Sequence, residues 1–569
     1  PNIRGMARGR VLILIDNARL ASERRTGPNA SFIDIDDIEK IEVLRSPSSV
    51  FYGSDAIGGV VNIFTKRVTL DEKIRGRINT NYGTVNQEKS LGFSLQGGKK
   101  NLGFYLSFQG ADTENYSSPK AEVLQSQFSQ ASLFGKISYQ REKREIHFSF
   151  LGSRGIRIGK PNRDSLTKPT WYPHENQNLF QFHWLERQVG QGELSFHAYL
   201  NPNFLETKSE KIGNYKSQES YSKTQSLDFG VQISYGKKFG EKFRLNSGAD
   251  FFGRSGAKAR NEDKYFDSQG NVTKTFKESP FTRGRRSDLG FFISGDYFGI
   301  RNLDLVAGLR WDVLRVQANP GDSPLAQKSS HSAWTGFLAS SFKFSENIVA
   351  FANLAKAYRV PTLSERFYTG ITGRGFIIAQ PGLKPETSLN LDAGLKFIGK
   401  RYFVGLYSFY YEIDDMIERY MKAEKIYTYG NINKGRIYGF ELELEYYPLP
   451  GWKLFGNLYS FKGKSLEAEN PLNDIPPLRL FAGSRVWVGR FSMEISGTFQ
   501  DEKTNPGPAE ISISRSEFFT LRASYSLNSS LNFYFVCSNL FNKSYLERPD
   551  PEAMEEPGRN FVFGISYSF

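Results

Sequence analysis

The feature that most constrains this chain is a long series of segments in which apolar and polar side chains alternate, beginning at about residue 75. In the segment 389–397, apolar residues occupy the odd positions, and Asn390, Asp392, Gly394 and Lys396 lie between them. A two-residue period is that of a β-strand with two different faces. Because the polar faces carry charges on strand after strand, the pattern favours a barrel with a wet or plugged lumen and a lipid-facing exterior over a soluble sandwich.

The connections between these segments alternate between short and long. Ten short turns, such as 99–102 and 448–451, separate longer polar connections, among them 155–178, 255–285 and 359–385. Together the connections would join about 22 strands, an even number within the range of bacterial outer-membrane barrels. The sequence therefore predicts an all-β protein, a 22-stranded antiparallel transmembrane β-barrel, whose lumen needs a plug.

The composition agrees with a membrane barrel. Phe (48), Tyr (29) and Gly (53) are abundant, which suits short strands, tight turns and interfacial aromatic girdles. No run of the roughly eighteen apolar residues that a transmembrane helix needs is found, so a helical membrane protein is excluded. The formal charge of +14 is spread through polar segments without a nucleic-acid motif. We therefore expect no nucleic-acid partner, and basic loops that face lipopolysaccharide phosphates or an anionic ligand.

The two ends of the sequence differ in the targeting information that they carry. The last segment, 559–569, alternates up to the terminal Phe569 and resembles the assembly signal of outer-membrane barrels. The chain opens at Pro1 without an initiator Met or the secretory signal expected of such a protein, so we expect that the N-terminus is cut. The lone Cys537 cannot form an internal disulfide.

Seven motifs resemble those of TonB-dependent outer-membrane receptors, and together they extend over essentially the whole chain. Four lie in the first seventy residues and three in the later part: Ile3-Arg4-Gly5 and the runs 11–16, 38–45, 52–63, 357–365, 381–388 and 539–545. The resemblance implies a plug domain at 1–70, of which only the C-terminal part is present, inside a barrel at 71–569. It also implies active import of a scarce ligand across the outer membrane, driven by TonB through a TonB box that would precede Pro1.

The resemblance implies a lock between plug and barrel. By motif, two plug arginines, Arg4 and Arg45, would pair with two wall carboxylates, Asp392 and Glu441. Alternation independently places both carboxylates on the polar face of their strands. The alternative interpretation is that these are simply four lumen-facing charges. Asp392 stands where the family more often has Glu, and Ser46 stands where it usually has Gly.

A second set of candidates lies in the plug segment 19–29, which corresponds to a segment that faces the external ligand in related receptors. Arg24, Arg25 and Asn29 are the candidate ligand-binding residues, because two adjacent arginines over a cavity would favour an anionic ligand. A solvated loop is an equally good interpretation.

Catalysis finds no support in the sequence. Five histidines are scattered without metal-ligand spacing, namely His147, His174, His183, His197 and His331. There is no nucleophile elbow or phosphate-cradling glycine loop, and 34–39 has several carboxylates but not the spacing of a calcium loop. We expect neither an enzyme nor a bound metal or cofactor, and we assign the 34–39 carboxylates to the plug surface.

The family imports several classes of ligand, so the identity of the ligand has several alternatives. A ferric siderophore is the first choice, partly because of the arginines. Haem receptors of the family generally place a histidine between the two mid-barrel motifs, and 359–382 contains none. Cobalamin remains an alternative, since 52–63 is very similar to the same stretch of cobalamin receptors. A passive porin is the alternative from another class. We expect a monomer in the outer membrane.

Overall fold

The computed structural model describes residues 2–20, 32–46, 49–321, 323–372, 375–424 and 426–569. Its strands, in chain order, are β1 (Asn2–Ile3), β2 (Met6–Ala7), β3 (Val11–Ile15), β4 (Ala18–Arg19), β5 (Ile38–Leu44), β6 (Gly59–Thr65), β7 (Arg75–Gly83), β8 (Glu88–Lys99), β9 (Leu102–Thr113), β10 (Phe128–Arg141), β11 (Arg144–Gly159), β12 (Thr170–Val189), β13 (Gly192–Ile212), β14 (Lys216–Phe239), β15 (Phe243–Phe266), β16 (Val272–Ile300), β17 (Leu303–Pro320), β18 (Gln327–Ser345), β19 (Ile348–Arg359), β20 (Gly370–Thr372), β21 (Gly375–Ile378), β22 (Glu386–Ile398), β23 (Tyr402–Ala423), β24 (Ile426–Leu449), β25 (Trp452–Ser465), β26 (Arg479–Val488), β27 (Phe491–Gln500), β28 (Ser516–Ser526), β29 (Leu531–Ser538) and β30 (Asn560–Ser568). Short helices are α1 (Ser49–Tyr52), α2 (Leu363–Phe367) and two 3-10 turns at Arg8–Arg10 and Ile35–Asp37.

Strands β7 to β30 close into one barrel. Two of them, β20 and β21, form a hairpin inside the connection 360–385, and β19 pairs directly with β22. The other twenty-two form the wall, each antiparallel to its neighbours, and β30 pairs with β7 from Val562↔Gly83 to Ser568↔Arg77. The predicted 22-stranded antiparallel barrel is confirmed. Closure leaves no strand edge unpaired in lipid.

The alternation of the sequence becomes the inside and outside of the wall. On β22, Leu389 and Leu391 are 56% and 49% exposed, whereas Asn390 and Asp392 are 0% and 2% exposed. The exposed leucines face outward, as the lipid-facing side of a barrel strand requires. The polar residues are buried because the lumen is filled. No helix among the described residues is long and apolar enough to cross a membrane.

The plug is a small four-stranded sheet in the order β4-β3-β6-β5, with β3 and β6 parallel. Every residue of β3 is buried. Leu12 and Leu14 pack within the plug, and Ile13 and Ile15 belong to a cluster that includes wall residues such as Tyr105. The strand is apolar throughout because both of its faces are covered. β6 ends at Thr65 and β7 begins at Arg75, and the division at residue 70 stays a prediction.

The connections differ at the two ends of the barrel. All ten turns at one end, such as 100–101 and 489–490, have two to four residues, as predicted. At the other end the strands extend much further. The stretch 255–285 is strand on both sides of a tip at 267–271, so the predicted long loop there is wrong. Outside lipid, both faces of a paired hairpin can be polar, and the apolar alternation that marks a strand is lost.

Candidate functional site: the plug and barrel interface

The first cluster of charges joins the β1–β2 turn of the plug to the wall. Arg4 and Gly5 have φ of +53° and +81°, a tight hairpin turn that holds the Arg4 side chain against β22 and β24. Its Nη1 lies 2.5 Å from Asp392 Oδ1, and its Nε and Nη2 lie 3.0 and 3.1 Å from the two carboxylate oxygens of Glu441. One guanidinium thus bonds two carboxylates, one of them through a two-pronged fork.

Arg45 reaches the same cluster from the end of β5. Its Nη1 lies 3.1 Å from Glu441 Oε2, and its Nη2 lies 2.5 Å from Glu443 Oε1. Its side chain is 43% exposed, whereas that of Arg4 is 5% exposed. The structure therefore brings Arg4, Arg45, Asp392 and Glu441 together; we call them the lock cluster. Their role as a lock stays a prediction.

Two further side chains, Tyr411 and Ser46, bond to the lock cluster, and sequence reasoning did not assign them a role. Tyr411 Oη lies 2.8 Å from Arg4 Nη1 and 2.9 Å from Asp392 Oδ1. Ser46, which replaces the usual glycine, donates from Oγ to Asp392 Oδ2 at 2.9 Å. The shorter Asp392 carboxylate is thereby bonded on both oxygens. Tyr411 is detectable only by alternation on β23, which places it on the lumen face.

A second, more deeply buried cluster joins the plug to the connection 360–385, at the end of the barrel opposite the short turns. Arg10 Nη2 lies 2.9 Å from Glu386 Oε1, and Arg359 Nε lies 3.0 Å from Glu386 Oε2. Arg359 Nη1 in turn lies 2.9 Å from Glu365 Oε2. The side chains of Arg10, Glu386 and Arg359 are 5%, 0% and 3% exposed. We call these four residues the loop cluster.

Glu365 ties the loop cluster to helix α2. Thr362 caps α2 by accepting from the Glu365 N–H at 3.1 Å, and the Glu365 carboxylate accepts from the Thr362 N–H at 2.8 Å. This reciprocal arrangement is a capping box. The same carboxylate therefore starts α2, inside the connection 360–385, and bonds Arg359. A continuous chain of ion pairs runs from that connection to Arg10 of the plug.

A third cluster lies where β4 of the plug meets β16. Arg19 Nη2 lies 2.9 Å from Asp55 Oδ2, and Arg286 Nη1 lies 3.2 Å from the same oxygen. Arg286 Nη2 also lies 2.6 Å from Asp288 Oδ2. Burial alone would raise the pKa of Asp55, but Arg286 and Arg19 outweigh it and hold that pKa below its ordinary value. A plug carboxylate is thus held charged against the wall.

The carboxylates of 34–39 face the wall on the side of the barrel formed by β7 to β9. Asp37 is 1% exposed and accepts from Tyr105 Oη at 2.9 Å and Ser107 Oγ at 2.5 Å. Asp34 Oδ1 accepts from Gln109 Nε2 at 2.9 Å. Burial is the largest cause that raises the pKa of Asp34, to about 6. These residues are plug surface, as expected, but they are docked on the barrel.

One buried cation has no carboxylate partner in the part of the chain that the structure describes. Arg366 of α2 is 6% exposed; its Nη2 donates to Leu383 O at 2.7 Å and lies 3.4 Å from His331 Nε2, and its Nε is unsatisfied. Burial lowers the pKa of Arg366, and Glu365 opposes this only in part. Burying a guanidinium without an anion costs free energy, and an anion that arrives from outside can offset that cost.

Three of the five histidines are neighbours across the wall, which the sequence did not indicate. His147 pairs with His183, and His183 pairs with His197, on β11, β12 and β13. Their ring centroids are 5.8 and 6.1 Å apart. Among the described residues, no group of three or more His, Cys, Asp or Glu side chains is arranged to hold a metal ion. Strand register, which the sequence does not show, creates this row.

The candidate ligand residues Arg24, Arg25 and Asn29 lie outside the described residues. They follow β4, whose Arg19 belongs to the third cluster. Their role in ligand binding stays a prediction.

A closed barrel with a small sheet bonded inside its lumen defines a plugged outer-membrane receptor. This chain belongs to the TonB-dependent receptor family, since the model described as TonB dependent receptor-like, beta-barrel matches residues 64–540 and the TonB-dependent Receptor Plug Domain model matches 1–60. The protein is therefore an outer-membrane receptor, as predicted.

Similar proteins match the whole of this chain and most of their own length. The Ferric enterobactin receptor of Pseudomonas aeruginosa is 23% identical, with 100% of this chain and 87% of the relative covered. The Hemin receptor of Yersinia pestis is 22% identical, with 100% and 85% covered. Among solved structures, the Copper transporter OprC has a TM-score of 0.87 at 18% identity, with 100% of this chain and 91% of that chain covered. The siderophore receptor PirA of Acinetobacter baumannii has a TM-score of 0.77 at 18% identity, with 100% and 92% covered. These structural likenesses show the fold.

Proposed function

We propose that this receptor imports an anionic ferric siderophore. The observation that carries the proposal is Arg366, a buried guanidinium that has no carboxylate partner among the described residues. It lies in the connection 360–385, and the long connections of such barrels are extracellular. An isolated buried charge costs several kcal/mol, so a fold retains one where it has a use. Catecholate, hydroxamate and carboxylate chelates present oxygen atoms that a guanidinium binds well when they carry negative charge.

The neighbouring arginine makes the contrast clear. Arg359 is as deeply buried as Arg366, but it bonds two carboxylates, those of Glu386 and Glu365. In the described part of the chain, the partners of Arg366 are a backbone carbonyl and a histidine nitrogen. Arg359 is therefore satisfied by the protein, and Arg366 is the cation that a ligand anion would complete when the connection 360–385 opens.

Transport requires that the plug leave its contacts with the wall. In this proposal the lock cluster keeps the plug docked while no ligand is bound, and the loop cluster links ligand contact in the connection 360–385 to Arg10 of the plug. TonB supplies the force, and the plug returns after release. The siderophore and enterobactin receptors among the similar proteins support this cargo class.

The experiment is calorimetric binding of the purified receptor to a panel of a ferric catecholate, a ferric hydroxamate, a ferric citrate, haem, cobalamin and Cu²⁺. We expect saturable submicromolar binding of one ferric chelate, weakened at least tenfold by Arg366→Gln, which corresponds to about 1.4 kcal/mol. Arg548→Gln, at an exposed arginine in the connection 539–559, is the matched control and should change nothing.

Other results would reassign the cargo. Tight binding of cobalamin, haem or Cu²⁺ alone would replace the siderophore with that ligand. A passive porin would show steady ion conductance in a planar bilayer, whereas a plugged receptor should be nearly silent. Loss of affinity in Arg548→Gln equal to that in Arg366→Gln would remove the role of Arg366.

A further inference from the structure

A row of uncharged polar side chains crosses β10 to β14 on the lumen face of the wall. Strand register pairs Ser132 with Ser153, Ser153 with Gln177, Gln177 with Asn203 and Asn203 with Ser226. The two amides and three hydroxyls are buried or half-buried. We call these five residues the polar row. Neighbouring strands lie about 4.8 Å apart, so one molecule can contact several members of the row.

Several of these side chains carry a buried polar atom without a hydrogen-bond partner. Gln177 Oε1, Asn203 Oδ1 and Ser226 Oγ are unsatisfied. So is Oδ1 of Asn201, which lies two residues from Asn203 on the same face of β13 and is 2% exposed. Leaving such atoms unpaired costs free energy, and a ligand that forms hydrogen bonds with them would recover it.

The plug lies next to the polar row on the side of the short turns. Tyr199 is four residues nearer than Asn203 to the short turn 190–191, and it packs in the same buried cluster as Leu20 of the plug. At a rise of about 3.3 Å per residue, this plug contact is about 13 Å from the row along β13. The row therefore lies on the side of the plug contact that faces the long connections.

The connection 360–385 reaches the wall on the other side of the polar row. Ser222 is four residues nearer than Ser226 to the long connections, and its Oγ lies 3.2 Å from Oη of Tyr368. Tyr368 directly follows α2, the helix that carries Arg366. An opening of this connection that uncovers Arg366 therefore also gives access to the polar row.

The chemistry of the polar row suits an uncharged partner with hydroxyl groups. None of its members is charged, and Asp228, two residues from Ser226 on the same face, is bonded through both oxygens by Arg254. A charged ligand group would find no counter-ion in the row. A side-chain amide presents an acceptor oxygen and a donor nitrogen, and a hydroxyl group can donate to the first and accept from the second.

We propose that the polar row binds an uncharged, hydroxyl-rich part of the imported chelate, such as a sugar substituent. The inference rests on the proposed function, because it assigns a second part of the same ligand, whose anionic part binds Arg366. A site built to bond hydroxyl groups rejects ligands that lack them, since its buried polar atoms then stay unpaired. The polar row thereby selects among chelates of equal charge.

The test compares two probes of equal charge, a ferric triscatecholate and the same complex with glucosyl groups on its catechol rings. Calorimetry with the full receptor should show that the glucosylated complex binds about tenfold more tightly. The double variant Gln177→Leu and Asn203→Leu should lose this preference. The control is Gln181→Leu on the same face of β12, whose amide oxygen already lies 3.1 Å from His197 Nε2; it should keep the preference.

The stability of the variants distinguishes ligand recognition from a structural role. Leucine replaces an unpaired polar group with an apolar one, so the double variant should unfold at the same temperature as the unmodified receptor or at a higher one. If the double variant fails to fold, Gln177→Met, which keeps the length of the side chain, decides in the same way. A clearly lower unfolding temperature of Gln177→Met would show that the amide is bonded within the protein, and it would overturn the proposal.

A trisaccharide of glucose separates this proposal from the proposed function, because it carries hydroxyl groups but neither iron nor charge. Weaker binding of the trisaccharide or of the glucosylated complex to the double variant supports the polar row, even if no ferric chelate is the cargo. If no hydroxylated probe binds the double variant more weakly than the unmodified receptor, the polar row is not a ligand site. The role of Arg366 would then still be decided by its own variant.

Discussion

The plug is bonded to the wall by arginines in two different environments. Arg45 of the lock cluster is 43% exposed and lies 3.1 Å from Glu441. Arg10 of the loop cluster is 5% exposed and lies 2.9 Å from Glu386, which is fully buried. Water can replace the partners of Arg45 when it leaves, but it cannot reach those of Arg10 without opening the interface.

This difference suggests how a plug can be held firmly and still move. An exposed ion pair contributes little and exchanges readily, whereas a buried one costs much to break because a charge is left without a partner. The plug is expected to loosen first at Arg45 and last at Arg10. The predictions below test that order through the free energy of plug release, measured from the urea dependence of hydrogen exchange in β3 and β6.

The largest effect is expected from Glu386→Gln. It gives Arg10 a neutral amide in place of its nearest carboxylate and leaves Glu418, at 3.2 Å, as the other one, so the free energy of plug release should fall by about 3 kcal/mol. The control is Glu443→Gln, which removes a half-exposed partner of Arg45 and should cost under about 1 kcal/mol. Equal losses in the two variants would mean that burial does not distinguish the clusters.

Arg4→Lys should have the next largest effect. An ammonium cannot span both Asp392 and Glu441, so several of the charge-assisted hydrogen bonds of Arg4 are lost and a cation remains. We expect about 2 kcal/mol less free energy of plug release. A cost as small as that of Arg45→Lys would contradict the assignment of Arg4 to the buried side of the lock cluster.

A substitution at Asp34, where the plug contacts β7 to β9, should raise the free energy of plug release instead of lowering it, and the effect should depend on pH. Burial raises the pKa of Asp34 from 3.8 to about 6, so the ionised carboxylate disfavours the docked plug. Asp34→Asn should raise the free energy of plug release by about 1 kcal/mol at pH 7. This gain in the free energy of plug release should be complete at pH values above about 6 and should vanish as the pH falls to 3.8, the ordinary pKa of an aspartate. Asn can still accept the Asp36 N–H that Asp34 accepts at 2.7 Å. A gain that persists at pH 4 would exclude titration as the cause.

The wall was predictable from the sequence because its chemistry has two sides. Leucines at 389 and 391 alternate with Asn390 and Asp392. The leucines face the lipid, and the two polar residues face the plug. The stretch 255–285 was not predictable as strand, since above the membrane nothing selects an apolar face. The lock cluster was accessible only through family motifs combined with alternation.

The loop cluster shows what the sequence does not contain. Arg359, Glu365 and Glu386 lie within motifs that the sequence displays, but their mutual contact depends on how the connection 360–385 folds back. Arg10 reaches them from the plug, 376 residues from Glu386 in sequence. The row of histidines likewise depends on the register of three strands. Such contacts are set by tertiary structure, for which local pattern has no signal.

The smallest effect, and the sharpest test of the comparison, is expected from Arg45→Ala. Because water replaces the lost partners and Arg4 still bonds Glu441, the free energy of plug release should fall by under about 1 kcal/mol. The cost should disappear at about 1 M salt, where exposed charges are screened within about 3 Å. Glu386→Gln should keep its full cost at that salt concentration, since its partners are shielded from ions. If Arg45→Ala instead lowers the free energy of plug release by several kcal/mol at every salt concentration, Arg45 behaves as a buried ion pair does. The lock cluster and the loop cluster would then hold the plug equally firmly.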